Sequence, residues 1–223
     1  MLTYLSIVAN FAPLALTALL PVINPVGSAL VFLGLVGDLP PKAYKQLARK
    51  IAVNTALLLV VVDLVGAVIL NFFGISLPVV QLAGGSVLAA MGWELLNQKD
   101  EPAKAAEVPV RASIDLDSRA FYPLTFPVTA GPGCIVVVLT LSAHASQHAI
   151  LKDVAAHAGI FAGTVFVCGL VYLSYAYAPA LTRRISPQTL HGVLRIIAFV
   201  LLCIGVQIAW KGVQGLVPSL AAH

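Results

Sequence analysis

Charge is what this chain has least of. Only 10% of its 223 residues are charged, with thirteen Lys and Arg against nine Asp and Glu. A soluble domain averages about 25% charged residues, and so sparse a set cannot coat a globule of this size in water. With 60% hydrophobic residues and a mean hydropathy of +0.97, the natural solvent is lipid. Lys/Arg clusters interleaved with aromatics are missing, which excludes a nucleic-acid binder. Cysteine is scarce as well. Cys134, Cys168 and Cys203 all lie in apolar runs without metal-ligand spacing, which excludes a disulfide framework and leaves them as small packing residues. There is no HExxH, so no metalloprotease signature. His144, His148, Asp153 and His157 fall in or near an expected outer loop and read as polar loop residues. No nucleophile–base pair sits in an apolar run; no catalytic residue, metal or cofactor is expected, and the chain is not read as an enzyme. No Lys or Arg precedes Lys42, so the N-terminus lacks the charged start of a signal peptide and reads as a retained span.

What is present is a series of apolar stretches. About twenty residues cross a hydrocarbon layer of roughly 30 Å. Such runs recur six times, near 5–36, 51–72, 77–96, 121–143, 154–176 and 190–213. The expected fold is all-α, a polytopic membrane protein with six transmembrane helices. A charged stretch at 98–119 divides the chain into a first three-span unit, 1–97, and a second, 120–223. Lys42, Lys45, Arg49, Lys50, Lys99, Lys104, Arg111, Arg119, Arg183 and Arg184 fall on one side of these spans. Lys152 and Lys211 fall on the other, and Arg195 lies near a boundary. Lys and Arg mark the cytoplasmic face, so both termini are expected outside the cytoplasm and 98–119 is expected to be a cytoplasmic linker.

Two apolar runs are interrupted by proline and glycine. Residues 20–27 read LPVINPVG and residues 126–133 read FPVTAGPG. Aligned without a gap, they share Pro21/Pro127, Val22/Val128 and Gly27/Gly133. The third spans rhyme as well, Gly92-Trp93-Glu94-Leu95 against Gly205-Val206-Gln207-Ile208. An odd number of spans per unit makes the second copy enter from the opposite face. The expectation is therefore two inverted three-helix repeats with broken first helices. Proline removes a backbone donor and frees a carbonyl. In lipid such groups must face protein, water or a ligand. The helix that restarts after each break presents unpaired N–H groups and a positive dipole end, which suit an anion. Freed carbonyls suit a cation. A small zwitterionic solute satisfies both, and Asn24, Pro25, Gly27, Thr129, Ala130, Gly131 and Gly133 are the candidate binding residues.

Asp63 lies within LLLVVVDLVGAVIL, and an ionisable side chain there is a candidate proton carrier; sodium held by freed carbonyls is the rival coupling ion. Thr125 reads as bonded to its own helix, Gly159 and Gly163 as a packing stripe, and Tyr172, Tyr175, Tyr177, Trp93 and Trp210 as interfacial anchors.

The segments NPVG, FGISLPVVQLAGG at 73–85, FYPLTFPVTAGPG at 121–133 and IGVQ at 204–207 resemble the MarC family of integral membrane proteins over nearly the whole chain. Lys211-Gly212 and Ala198 depart from the residues usual there. The resemblance implies a bacterial inner-membrane protein with six spans, related to small neutral amino acid transporters. It also singles out Gln207, in the family-like ending, as a second coupling candidate. The expected function is secondary transport, uptake or export, of such amino acids; a channel using the broken helices as re-entrant segments is the alternative. The partners implied are the lipid bilayer, the solute, a proton or sodium ion, and a second copy of the chain. A C-terminal reporter active only in the cytoplasm is expected to stay silent, and a signal from it would reverse the orientation.

Overall fold

A computed structural model describes residues 2–97, 119–145, 150–184 and 187–220. The divider at 98–118 and His148 lie outside the described residues. The chain forms α1 (Leu2–Ile23), α2 (Pro25–Val36), α3 (Pro41–Phe72) and α4 (Leu77–Asn97). A wide-wound segment, Ala120–Thr129, follows, and then α5 (Pro132–Ala145), α6 (Ile150–Ala176), α7 (Ala178–Arg184) and α8 (Pro187–Leu220). No strand occurs among the described residues. This is the outcome lipid requires, since a helix satisfies its own backbone. Proline opens α2, α3, α5 and α8, at the position where its missing N–H costs nothing.

Five stretches are long and apolar enough to cross a membrane: Thr3–Val36, Pro41–Phe72, Leu77–Asn97, Ile150–Ala176 and His191–Val217. Ala120–Thr129 with Pro132–Ala145 makes a sixth when taken as one span, and that pair is bent by 68°. Large apolar side chains such as Leu57, Leu64, Phe161, Phe166, Ile196 and Phe199 point out of the bundle, where lipid would cover them.

Several helices are longer than the hydropathy pattern alone suggests. α3 begins at Pro41, so Lys42, Lys45, Arg49 and Lys50 belong to its first turns instead of a loop. Tyr44 pins that start: its hydroxyl donates to Gly37 O at 2.6 Å and accepts from Leu39 N at 3.3 Å. α5 runs to Ala145 and α6 starts at Ile150, so His144 and His157 are helical and not loop residues.

Glycine sets the helix contacts. Gly159 of α6 lies against Val8, Phe11 and Ala12 of α1, and Gly163 against Ala12, Ala15 and Leu16. On the α4–α8 seam, a Cβ at Gly92 would fall 2.5 Å from Leu202 N and 2.9 Å from Ala198 O. Gly205 lies against Ala89 N and Gly85 O in the same manner, and Gly212 against Leu82 and Pro78. Small residues let backbones approach this closely, and in lipid the gain is van der Waals contact. α3 packs on α5, α6 and the wide-wound segment, and α2 packs on α6, α7 and that segment. The main partners of α1 to α4 thus lie in the second half of the chain. Within the first half, Tyr44 of α3 meets Phe32 of α2 edge to face at 6.1 Å.

Gly92→Ala is expected to destabilise the detergent-solubilised protein by about 1–3 kcal/mol, because the new methyl group meets backbone that cannot swing away. Gly169→Ala, whose Cβ would meet nothing within 4 Å, serves as control. It is expected to leave Tm unchanged or raise it, since alanine favours the helix by about 1 kcal/mol. Equal Tm losses in the two variants would remove the seam from the account.

Candidate functional site at the two chain breaks

The first break is a single residue. Asn24 takes φ 45° and ψ 68°, the left-handed region, which asparagine tolerates better than most residues. Asn24 N still donates to Leu20 O at 2.9 Å, and Ser28 N donates to Asn24 O at 2.9 Å. Pro25 then has no N–H to offer Pro21 O. The Asn24 side chain caps the restarted helix by accepting from Gly27 N at 3.1 Å. A Cβ at Gly27 would overlap the Asn24 amide, so the cap itself demands glycine there.

The second break is built differently. Residues 122–129 read YPLT followed by FPVT, and each tetrad repeats one geometry. Tyr122 and Phe126 are extended, with φ −119° and −120° and ψ 125° at both, as a following proline favours. The Tyr122–Pro123 and Phe126–Pro127 peptide bonds are cis. Thr125 Oγ1 donates to Ala120 O at 2.7 Å and Thr129 Oγ1 donates to Leu124 O at 2.6 Å. Each hydroxyl thus bonds the carbonyl five residues back along its own segment. Ala130 N donates to Thr125 O at 2.8 Å, and α5 restarts at Pro132. The two motifs are therefore alike in position and in having proline at the restart. They differ in how the chain is turned: at Asn24 by one left-handed residue, and before α5 by two extended residues and the 68° bend.

The fold brings the breaks together. Tyr175 is buried at 0% exposure, and its hydroxyl lies 2.8 Å from Thr129 Oγ1. With the Thr129 hydrogen given to Leu124 O, Tyr175 is the donor. Ser28, whose Oγ donates to Asn24 O at 2.9 Å, faces the same Tyr175 hydroxyl. Phe32 stacks on the Tyr175 ring at 4.6 Å. On the other side of the junction, Gly133 lies against Leu88 of α4, and a Cβ there would be 3.3 Å from Val22 Cγ1. Pro25, Thr129, Ala130 and Gly133 are buried, while Asn24, Gly27 and Gly131 are partly accessible. Tyr175 was expected as an interfacial anchor. It is a core residue instead, because α2 and α7 cover that end of α6.

Asp63 and Gln207 do not join this junction. Gln207 is exposed on the outer face of α8. Asp63 is buried on α3, and both its carboxylate oxygens lie 3.0 Å from His157 Nδ1 on α6. Ser142 Oγ of α5 donates to Asp63 O at 2.8 Å. His157 and Tyr175 are 18 residues apart on one helix, about 27 Å at helical rise. His157 is the residue that sequence reasoning missed. The available signal was an isolated imidazole in the apolar run VAAHAGIFAG, which needed a buried partner as much as Asp63 did. Among the described residues no group of three or more His, Cys, Asp and Glu could hold a metal ion.

A family model described as MarC family integral membrane protein matches residues 9–217. A membrane protein of Methanocaldococcus jannaschii is 29% identical over 202 residues, 91% of this chain and 95% of the relative. The inner membrane protein MarC of Escherichia coli K12 is 29% identical over 216 residues, 92% of this chain and 95% of the relative. No solved structure matches.

Tyr175→Phe and Thr129→Val are each expected to cost about 1 kcal/mol of stability, the scale of an interhelical hydrogen bond in a membrane protein. The double variant should cost less than the two together, because they share one bond. Full additivity in an unfolding titration would show that the bond contributes nothing.

Proposed function

The chain belongs to the MarC family of integral membrane proteins, and from that premise we propose that it is a secondary transporter of small neutral amino acids. The observation that carries the reading is the meeting of the two breaks. Asn24 is joined to Thr129 through Ser28 and Tyr175 on one side, and Val22 approaches Gly133 on the other. The restarted helices α2 and α5 turn their N-terminal ends toward this junction, which suits the carboxylate of a zwitterion. The carbonyls that proline leaves without donors suit its ammonium group. The surrounding side chains are small or apolar, which favours a small neutral solute over a charged one.

Two inverted units, 1–97 and 120–223, joined by the linker at 98–119, are part of the proposal. The α4–α8 seam supports them. Gly92 meets Ala198 and Leu202, and Gly205 meets Gly85 and Ala89. Gly92 and Gly205, Gly85 and Ala198, and Ala89 and Leu202 are each 113 residues apart in the sequence, so exchanging the units returns the same contacts. The packing of α1 on α6 is likewise exchanged with that of α3 on α5 and its preceding segment. The relatives named as inner membrane proteins and the Lys/Arg asymmetry favour a bacterial inner-membrane location with both termini periplasmic.

The test is counterflow of labelled glycine, alanine, serine and threonine in proteoliposomes of the purified protein. Saturable exchange of at least one of them is expected. Gly27→Leu and Gly133→Leu are expected to abolish it while still inserting into the membrane. Absence of exchange for every amino acid tried, with folded protein, would overturn the amino-acid reading. A flux that does not saturate would mark a pore instead.

A further inference from the structure

We propose that Asp63 and His157 together form the proton-coupling site of this transporter, one proton being shared between carboxylate and imidazole in each cycle. The inference rests on the transporter reading above and adds the identity and seat of the coupling ion. Asp63 sits within the apolar stretch of α3, buried at 6% exposure. Both of its oxygens are 3.0 Å from one nitrogen, His157 Nδ1. That geometry is a carboxyl group facing a single ring nitrogen, with the imidazole standing where a metal cation would have to stand. A hard cation such as sodium seeks several oxygen ligands, and here the partner is nitrogen. A proton is the one cation that this pair can share without rearrangement.

The surroundings fit the task. The His157 side chain is 22% exposed and that of Asp63 7%, so one member of the pair is open to exchange and the other is held inside. His157 is seven residues from the start of α6, about 10 Å along the axis, near the end of the bundle where α5 finishes. On the elements packed against α3, the other titratable groups nearby are Asp153, one turn before His157 on α6, and His144, at the end of α5. His144 turns its Nδ1 to Thr140 O at 3.0 Å. The segment Ala120–Thr129 contributes no titratable side chain but Tyr122, which is exposed.

The link to the breaks is α5. Its Ser142 holds the Asp63 carbonyl, and its Gly133, nine residues earlier, lies between Leu88 and Val22 at the junction. Thr140 on α5 and Thr55 on α3 carry buried hydroxyls without a hydrogen-bond partner among the described residues. Thr140 lies on the break side of Ser142, and Thr55 lies two turns from Asp63 on the same face of α3. The charge balance gives the coupling. Asp63 carboxylate with neutral His157 carries one negative charge; adding one proton from the water on one side makes the pair net neutral, and releasing it on the other side restores the charge. A lone buried charge is costly, so the change of facing is favoured only when the pair is loaded.

The experiment uses the full chain in proteoliposomes and an amino acid that the wild type exchanges. With one proton per solute, a gradient of one pH unit is expected to drive about tenfold accumulation. A pH-sensitive dye trapped in the vesicles should report proton movement with the solute. Asp63→Asn is expected to keep counterflow at equal pH and to lose both pH-driven accumulation and the dye signal. His157→Gln is expected to keep counterflow and shift its pH profile. Wild-type accumulation that follows a sodium gradient and ignores pH would overturn the proposal, as would an Asp63→Asn variant that still accumulates solute with pH. If Asp63→Asn fails to insert, the wild-type dye signal decides alone: solute entry without proton movement refutes coupling here. Both of these failures leave counterflow intact, whereas failure of the transporter reading shows as no counterflow at all.

Discussion

Every backbone polar group inside hydrocarbon needs a partner, and at both breaks the chain meets that demand with side chains as well as helix. At Asn24 the carboxamide accepts the Gly27 N–H. Before α5 two threonine hydroxyls supply the carbonyls of Ala120 and Leu124. These bonds hold the chain where proline interrupts membrane-length apolar runs. They also consume the polar side chains at the breaks. For the solute proposed above, that leaves mostly backbone, together with the partly accessible Asn24, Gly27 and Gly131. A site made of backbone recognises the amino and carboxyl groups that all amino acids share, and it discriminates by the space left for the side chain.

The second organising element is the placement of small residues. Gly159 and Gly163 seat α6 on α1, and Gly85, Gly92, Gly205 and Gly212 seat α4 on α8. Without water between helices there is no hydrophobic drive to pair them, so close approach and dispersion decide which surfaces meet. Asp63 and His157 add a polar tie between α3 and α6. Its partners are 94 residues apart in the sequence.

Local pattern carried much of this and stopped at identifiable points. The all-helical architecture followed from apolar length and the near absence of charge. The Asn24 cap, the Thr125 back-bond and the packing role of Gly159 and Gly163 are all local and all legible. Gly92 and Gly205 each lie against backbone of the facing helix on the α4–α8 seam. The seat of Tyr175 was not legible, because the sequence places it at the end of an apolar run and only the tertiary fold lays α2 and α7 over it. His157 read as loop because its neighbours Lys152 and Asp153 are charged; its helix and its partner are set by packing. Gln207 points outward because of helical phase on α8, which the motif around it does not reveal. The charged start of α3 reads as loop by hydropathy, yet proline at its first turn and the Tyr44 bonds make it helix.

The interlocking of the two halves has a consequence for how the molecule is made. When residues 1–97 have left the ribosome, α1, α3 and α4 stand in the membrane with their glycine and alanine seams facing lipid, since their main partners are α5, α6 and α8. Nothing in the first half can close those seams, and Asp63 has no imidazole to meet until α6 is threaded in. Assembly therefore waits on the last span, and a chain truncated before α8 would leave the glycine face of α4 open to other helices in the same bilayer.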